Sequence, residues 1–125
     1  MDRFFVRAGG ALTGRTPVVE IDGGFPDGMC IDTDGCLWVA IWGAGCVRRY
    51  APTGELLAIV DVPDAPQVSS CCLGGPDGRT LFVTTSQEGM DAATRERFPD
   101  SGAVFCVPVD ATGAPAAMFG TAGAS

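Results

Sequence analysis

Two Asp-Gly pairs, Asp34-Gly35 and Asp77-Gly78, stand 43 residues apart, each between two short apolar runs. "MCIDTDGCLWVAI" (Met29 to Ile41) reads as strand, Asp-Gly turn, strand, and "SCCLGGPDGRTLFVTT" (Ser70 to Thr85) repeats that order. "GCVRRYAPTGELLAIVDVP" (Gly45 to Pro63) and "GAVFCVPVDATGAPAAMF" (Gly102 to Phe119) share a second order: Gly, apolar strand, Thr-Gly turn, apolar strand. A four-strand unit recurring at roughly 40–45 residues is the mark of a β-propeller blade. A further match, "RFFVRAGGALTGRTPVVEI" (Arg3 to Ile21) with "RRYAPTGELLAIVDVP" (Arg48 to Pro63), places the start of the chain in the second half of a blade.

The expected class is therefore all-β, with about two and a half four-stranded blades. Residues 1–24 end one blade, 25–64 make a complete one, 65–120 make a further blade, and 121–125 are a tail. The expected strands are Thr16 to Ile21, Met29 to Thr33, Leu37 to Trp42, Cys46 to Ala51, Leu56 to Val62, Val68 to Leu73, Thr80 to Thr85 and Ala103 to Val109. The last blade carries an insert, Ser86 to Asp100, with a short helix over Asp91 to Arg97 and Asp91 as its N-cap. So few blades cannot close a ring, because propellers have about four or more. The expectation is a fragment of a longer protein, with unpaired edges and apolar faces at its open ends.

Composition supports a folded, turn-rich chain. Of its 125 residues 46% are hydrophobic and 18% charged, and the 18 glycines and 9 prolines are spread between the apolar runs. The net charge of −7 argues against a general nucleic-acid binder, which needs a basic face. No apolar run reaches the roughly 18 residues of a membrane-spanning helix. Arg7 interrupts the first apolar run before a signal peptide takes shape, so a soluble, cytoplasmic protein is expected. There are six cysteines and no histidine. Without His or Cys-x-x-Cys, a zinc site of the usual kind is excluded. Cys30, Cys71, Cys72 and Cys106 fall in strand-like runs and read as reduced small hydrophobes.

The blocks "FPDGMCIDTDGCLWVAIWGAGCVRRY" (Phe25 to Tyr50), "VPDAPQVSSCCLGGPDGRTLFVTTSQEGM" (Val62 to Met90) and "SGAVFCVPV" (Ser101 to Val109), with "GALTGRTPVVEIDGGFPDG" (Gly10 to Gly28) ahead of them, resemble the C-terminal part of the senescence-marker-protein/gluconolactonase/regucalcin-like family. The resemblance implies a six-bladed propeller with one divalent metal ion (Ca, Zn, Mg or Mn) in its central channel. It also implies hydrolysis of a sugar lactone. The family's metal ligands are a Glu near the N-terminus, a central Asn and the Asp of Pro-Asp-Gly. Of these, only the last has a counterpart here, Asp27. The family's sugar-contacting Arg and Asn have no counterpart in this chain.

Read from residues alone, Pro26-Asp27-Gly28 is a turn. The resemblance makes Asp27 a metal ligand and a candidate general base, held rigidly by Pro26 and Gly28 at the channel end of a strand. Trp42, at a strand end, has two readings, packing or contact with substrate. Gln67, Ser69 and Ser70 are read first as packing and turn residues, and as outer-sphere supports second. Asp77 occupies the equivalent hairpin of the next blade and reads as structural. Asp32 to Gly35 resembles a calcium loop, but position twelve counted from Asp32 is Gly43 where an EF-hand has Glu, so a hairpin turn is expected. A serine nucleophile is set aside, since no His activates it and no Gly-x-Ser-x-Gly occurs. Three functions remain open: a piece of a lactone hydrolase, a non-catalytic calcium-binding or regulatory propeller, and an inactive truncated chain.

Overall fold

The computed structural model describes residues 1–116. The strands follow one another as antiparallel meanders in three sheets. The first pairs β1 (Asp2–Val6) with β2 (Leu12–Pro17), and the second runs β3 (Phe25–Ile31), β4 (Leu37–Trp42), β5 (Cys46–Tyr50) and β6 (Leu56–Asp61). The third holds β7 (Val68–Gly74), β8 (Thr80–Thr85) and β9 (Val104–Pro108). A six-residue helix, α1 (Ala92–Arg97), sits between β8 and β9. Asp91 caps it, its Oδ1 accepting the Thr94 N–H at 2.8 Å. The strand expected after Thr112-Gly113 falls largely on residues 117–119, and these and the tail 121–125 lie outside the described residues.

Strand β4 shows why the sheets stack. Its side chains alternate in direction, so Trp38 and Ala40 face one way while Val39 and Ile41 face the other, and all four are buried. Trp38 and Ala40 join Val47, Val62, Val68, Cys71, Leu81 and Val83 in the core between the second and third sheets. Val39 and Ile41 join Cys46 and Tyr50, with Val19 and Ile21 from the N-terminal segment packed against them. A strand apolar on both faces must be covered on both. Away from β4 the cover runs out: Phe5, Val6, Leu12 and Phe25 are exposed.

Two strands begin earlier than the sequence suggests. The expected Thr16–Ile21 strand is displaced to Leu12–Pro17, because Val19 and Ile21 leave the ladder to pack on the second core cluster. Strand β3 starts at Phe25 instead of Met29, so Pro26-Asp27-Gly28 lies in a strand and does not form a turn. Proline is tolerated there because β3 is an edge strand and its register with β4 shifts between Pro26 and Met29. The six cysteines are free thiols; of the four expected in strands, Cys71 is buried and Cys30 half-buried, while Cys72 and Cys106 face outward and are exposed, and Cys36 and Cys46 are buried.

The β3–β4 hairpin is organised by Asp32, which is 2% exposed. Its Oδ1 accepts the N–H groups of Asp34 (3.0 Å) and Cys36 (2.9 Å). Its Oδ2 accepts Trp38 Nε1 (3.0 Å) and Arg49 Nε (2.8 Å) from β5. Arg49 also reaches Asp34 at 2.9 Å and lies 5.6 Å over the Trp38 ring. Gly35, at φ +77°, completes the turn in a conformation other residues adopt at a cost. Beyond β9, Thr33 N–H donates to Thr112 O (2.9 Å) and Asp32 bridges Gly113, tying this hairpin to the third sheet.

Burial works against ionisation of Asp32, yet the bonds from Trp38, Cys36 N–H and Arg49 outweigh it and hold the carboxyl below its usual range. A depressed folded pKa gives stability that is complete above the unfolded value, near ~3.9, and is lost as pH falls through the folded one. Asp32→Ala should cost about 3 kcal/mol, the low end for a broken buried pair because Asp34 still holds Arg49. Urea unfolding checks this, and the gap between wild type and variant should narrow as the pH is taken below about 4.

Candidate metal-binding site

Asp27 projects from the first half of β3, on the edge of the second sheet. It is exposed, and none of the ion pairs among the described residues includes it. Its neighbours fix its position. Phe25 pairs with Trp42 and Pro26 with Ile41, holding the strand start against β4. Upstream, Arg48 Nη1 donates to both the carbonyl and the Oδ1 of Asp22 at 3.0 Å, anchoring the approach.

Downstream, β3 is pressed against β7 of the next sheet. A Cβ at Gly28 would lie 2.6 Å from Ser70 Cβ and 2.8 Å from Ser70 Cα. No side chain fits, and glycine is what allows this close approach. Asp27 is thus next to the point where the two edge strands meet.

The other sequence candidates divide. Trp42 is half-buried, and its backbone bridges Gln67 at the entrance to β7. Gly43 and Gly45 N–H both donate to Pro66 O (2.9 and 3.1 Å), so the β4–β5 turn is stitched to the same place. Gln67 Nε2 donates to Glu88 O at 3.1 Å, while its Oε1 is buried without a partner. Ser69 shares a hydroxyl bond with Thr84 at 2.9 Å, and Ser70 is the residue facing Gly28. Asp77 serves its hairpin, its Oδ1 accepting the Arg79 N–H at 3.0 Å. Asp32 is consumed by the donors described above. Among the described residues no group of three or more acidic, Cys or His side chains is placed to hold a metal ion. The residues present suit one oxygen ligand, Asp27, and not a complete coordination shell.

The profile of the SMP-30/gluconolactonase/LRE-like region matches residues 2–87. The chain belongs to this family. Regucalcin of Danio rerio is 44% identical over 104 residues, covering 82% of this chain and 35% of its own length. The crystal structure of a calcium-binding protein, regucalcin, from Agrobacterium tumefaciens superposes with a TM-score of 0.76 at 29% identity, over 82% of this chain and 35% of that one. A luciferin-regenerating enzyme superposes at 0.77 with 26% identity, over 90% of this chain and 39% of that one. The chain spans about a third of the length of the curated relatives it matches. With its antiparallel meander sheets, the chain is part of a β-propeller of the regucalcin type. Among the described residues no helix is long and apolar enough to cross a membrane.

The Gly28–Ser70 contact makes a direct test of the geometry around Asp27. Gly28→Ala should destabilise the chain by about 1–3 kcal/mol through overpacking. Ser70→Gly in the same chain should restore only part of this, because the Ser70 Cα itself stands 2.8 Å from the added carbon. Denaturant midpoints of the two single variants and the double variant give the answer.

Proposed function

We propose that the chain is the C-terminal part of a metal-dependent sugar-lactone hydrolase, with Asp27 as its contribution to the metal centre. In this reading residues 1–24, 25–64 and 65–120 belong to three successive blades, and β3 and β7 are neighbouring inner strands. The observation that carries it is the state of Asp27. Its carboxylate is exposed and outside every ion pair among the described residues, on a strand pinned by Gly28 and Ser70. A carboxylate so placed offers a hard oxygen to a divalent cation (Ca, Zn, Mg or Mn).

Such a cation, when bound, supplies polarisation of the lactone carbonyl and a lower pKa for a water. Asp27 then has two tasks: one oxygen holds the ion, and the carboxylate accepts the proton of the attacking water as general base. Trp42, at the end of β4 beside the strand start, offers an apolar surface to the sugar ring. The remaining ligands come from outside this chain, and a cytoplasmic location accompanies the reading. A second reading, a calcium-binding propeller without catalysis, is favoured by the description of the Agrobacterium tumefaciens relative as a calcium-binding protein. The third, an inactive chain, is kept as an outcome of the test.

Two measurements separate them. Calorimetric titration of the isolated chain with Ca²⁺ or Zn²⁺ should show weak binding that Asp27→Asn removes and Asp77→Asn leaves intact. Joined to an N-terminal part that carries the other ligands, the chain should hydrolyse gluconolactone. There Asp27→Asn should lower kcat by roughly 10²–10⁴-fold, the usual worth of a base. Metal binding without turnover in the joined protein favours the second reading. Neither binding nor turnover favours the third, and equal effects of Asp27→Asn and Asp77→Asn reduce Asp27 to a structural residue.

A further inference from the structure

Beside the close approach of β3 and β7 lie two thiols that no catalytic reading employs. Cys30 on β3 and Cys71 on β7 converge on one residue of the core between the sheets, Trp38. Cys30 is the register partner of Trp38, and the Cys71 Sγ donates to the Trp38 carbonyl at 3.3 Å. Cys30 is half-buried and packs on the core cluster that contains Cys71. The other cysteines are elsewhere. Cys46 belongs to the second core cluster, Cys36 lies under the Asp32 turn, and Cys72 and Cys106 are exposed.

We propose that Cys30 and Cys71 form an oxidative modification site, closed to a disulfide by a low-molecular-weight disulfide such as oxidised glutathione. The Cys30 thiolate attacks one sulfur of the reagent, whose S–S bond breaks and releases one thiolate. Cys71 then attacks the Cys30 sulfur of the mixed disulfide, gives its proton to the departing thiolate and releases the second thiol. Two protein thiols are oxidised to one disulfide, and the reagent disulfide is reduced to two thiols. The asymmetry of the pair suits the sequence of steps. The neighbouring Cys71 thiol draws Cys30 below the usual thiol range, which favours it as the attacking group. Cys30 in turn, together with burial, pushes Cys71 up, which keeps it inert until the mixed disulfide stands beside it. The product staples two sheets together, three residues beyond Asp27. The thiol chemistry holds whether or not Asp27 binds a metal.

The test uses the full chain under native conditions, with the exposed thiols removed as Cys72→Ser and Cys106→Ser. After exposure to oxidised glutathione, intact mass should fall by two hydrogens, and non-reducing peptide maps should show a single Cys30–Cys71 link. Adding Cys71→Ala should trap glutathione on Cys30 as a stable adduct. Free thiols at both Cys30 and Cys71 after a treatment that converts Cys72 fully in the wild-type chain would overturn the proposal, as would a link between other cysteines. Should Cys71→Ala fold poorly, the map of the chain that keeps both thiols decides alone.

Discussion

A carboxylate buried under the β3–β4 turn sets the terms for the middle of this molecule. Burying Asp32 is costly unless its oxygens are satisfied, and satisfying them requires donors from three places at once. The turn backbone supplies two, the Trp38 indole a third and the Arg49 guanidinium the rest. Those partners fix the register of β3, β4 and β5 relative to one another. They also hold Trp38 in one orientation, with its ring in the core and its N–H on the carboxylate. The Trp38 carbonyl then receives the Cys71 thiol from the next sheet. The polar network in the turn and the apolar core between sheets therefore share a residue.

The second constraint is the double-sided burial of β4. One face requires β7 and β8, and the other requires β5 and the N-terminal segment at Val19 and Ile21. Sheets that cover one another in series in this way give the blade stacking of a propeller. Because β3 and β7 are the edges that meet, any residue they present near Gly28 is held by backbone from two sheets at once. That is a rigid setting, and a rigid setting is what a ligand or base needs if it is to avoid reorganising when it acts.

The order of strands and turns was legible in the sequence because the signals are local. Asp-Gly and Thr-Gly pairs need no tertiary context to mark a turn, and the 43-residue recurrence of Asp-Gly exposes the repeat. The helix in the insert was legible for the same reason, since Asp91 caps it through its own side chain. The strand boundaries were less so. Val18 to Ile21 has the composition of a strand, but its apolar residues are drawn to the Val39–Ile41 face instead of to the ladder. Pro26 argued for a turn at Asp27, and only the edge position and the register shift of β3 make proline acceptable in that strand. The role of Asp32 was missed. Its partner Arg49 lies 17 residues away, and only the pairing of β4 with β5 brings the two together. An Asp opening a turn, with a Trp six residues on, was the available signal.

Three aspartates near Asp-Gly pairs show how little of a site is written in its motif. Asp32, Asp77 and Asp27 each sit within three residues of a glycine in similar local sequence. Asp32 is surrounded by donors and cannot offer its charge to anything outside. Asp77 gives one oxygen to a backbone N–H two residues on, which closes its hairpin. Asp27 precedes a glycine whose close contact with Ser70 faces the neighbouring strand, and it engages in none of the ion pairs among the described residues. The same residue type is a structural anchor, a turn former or an uncommitted surface carboxylate according to the donors the fold brings to it. Of these three aspartates, Asp27 is the one beside the seam between two sheets, where its carboxylate is engaged by none of the ion pairs among the described residues.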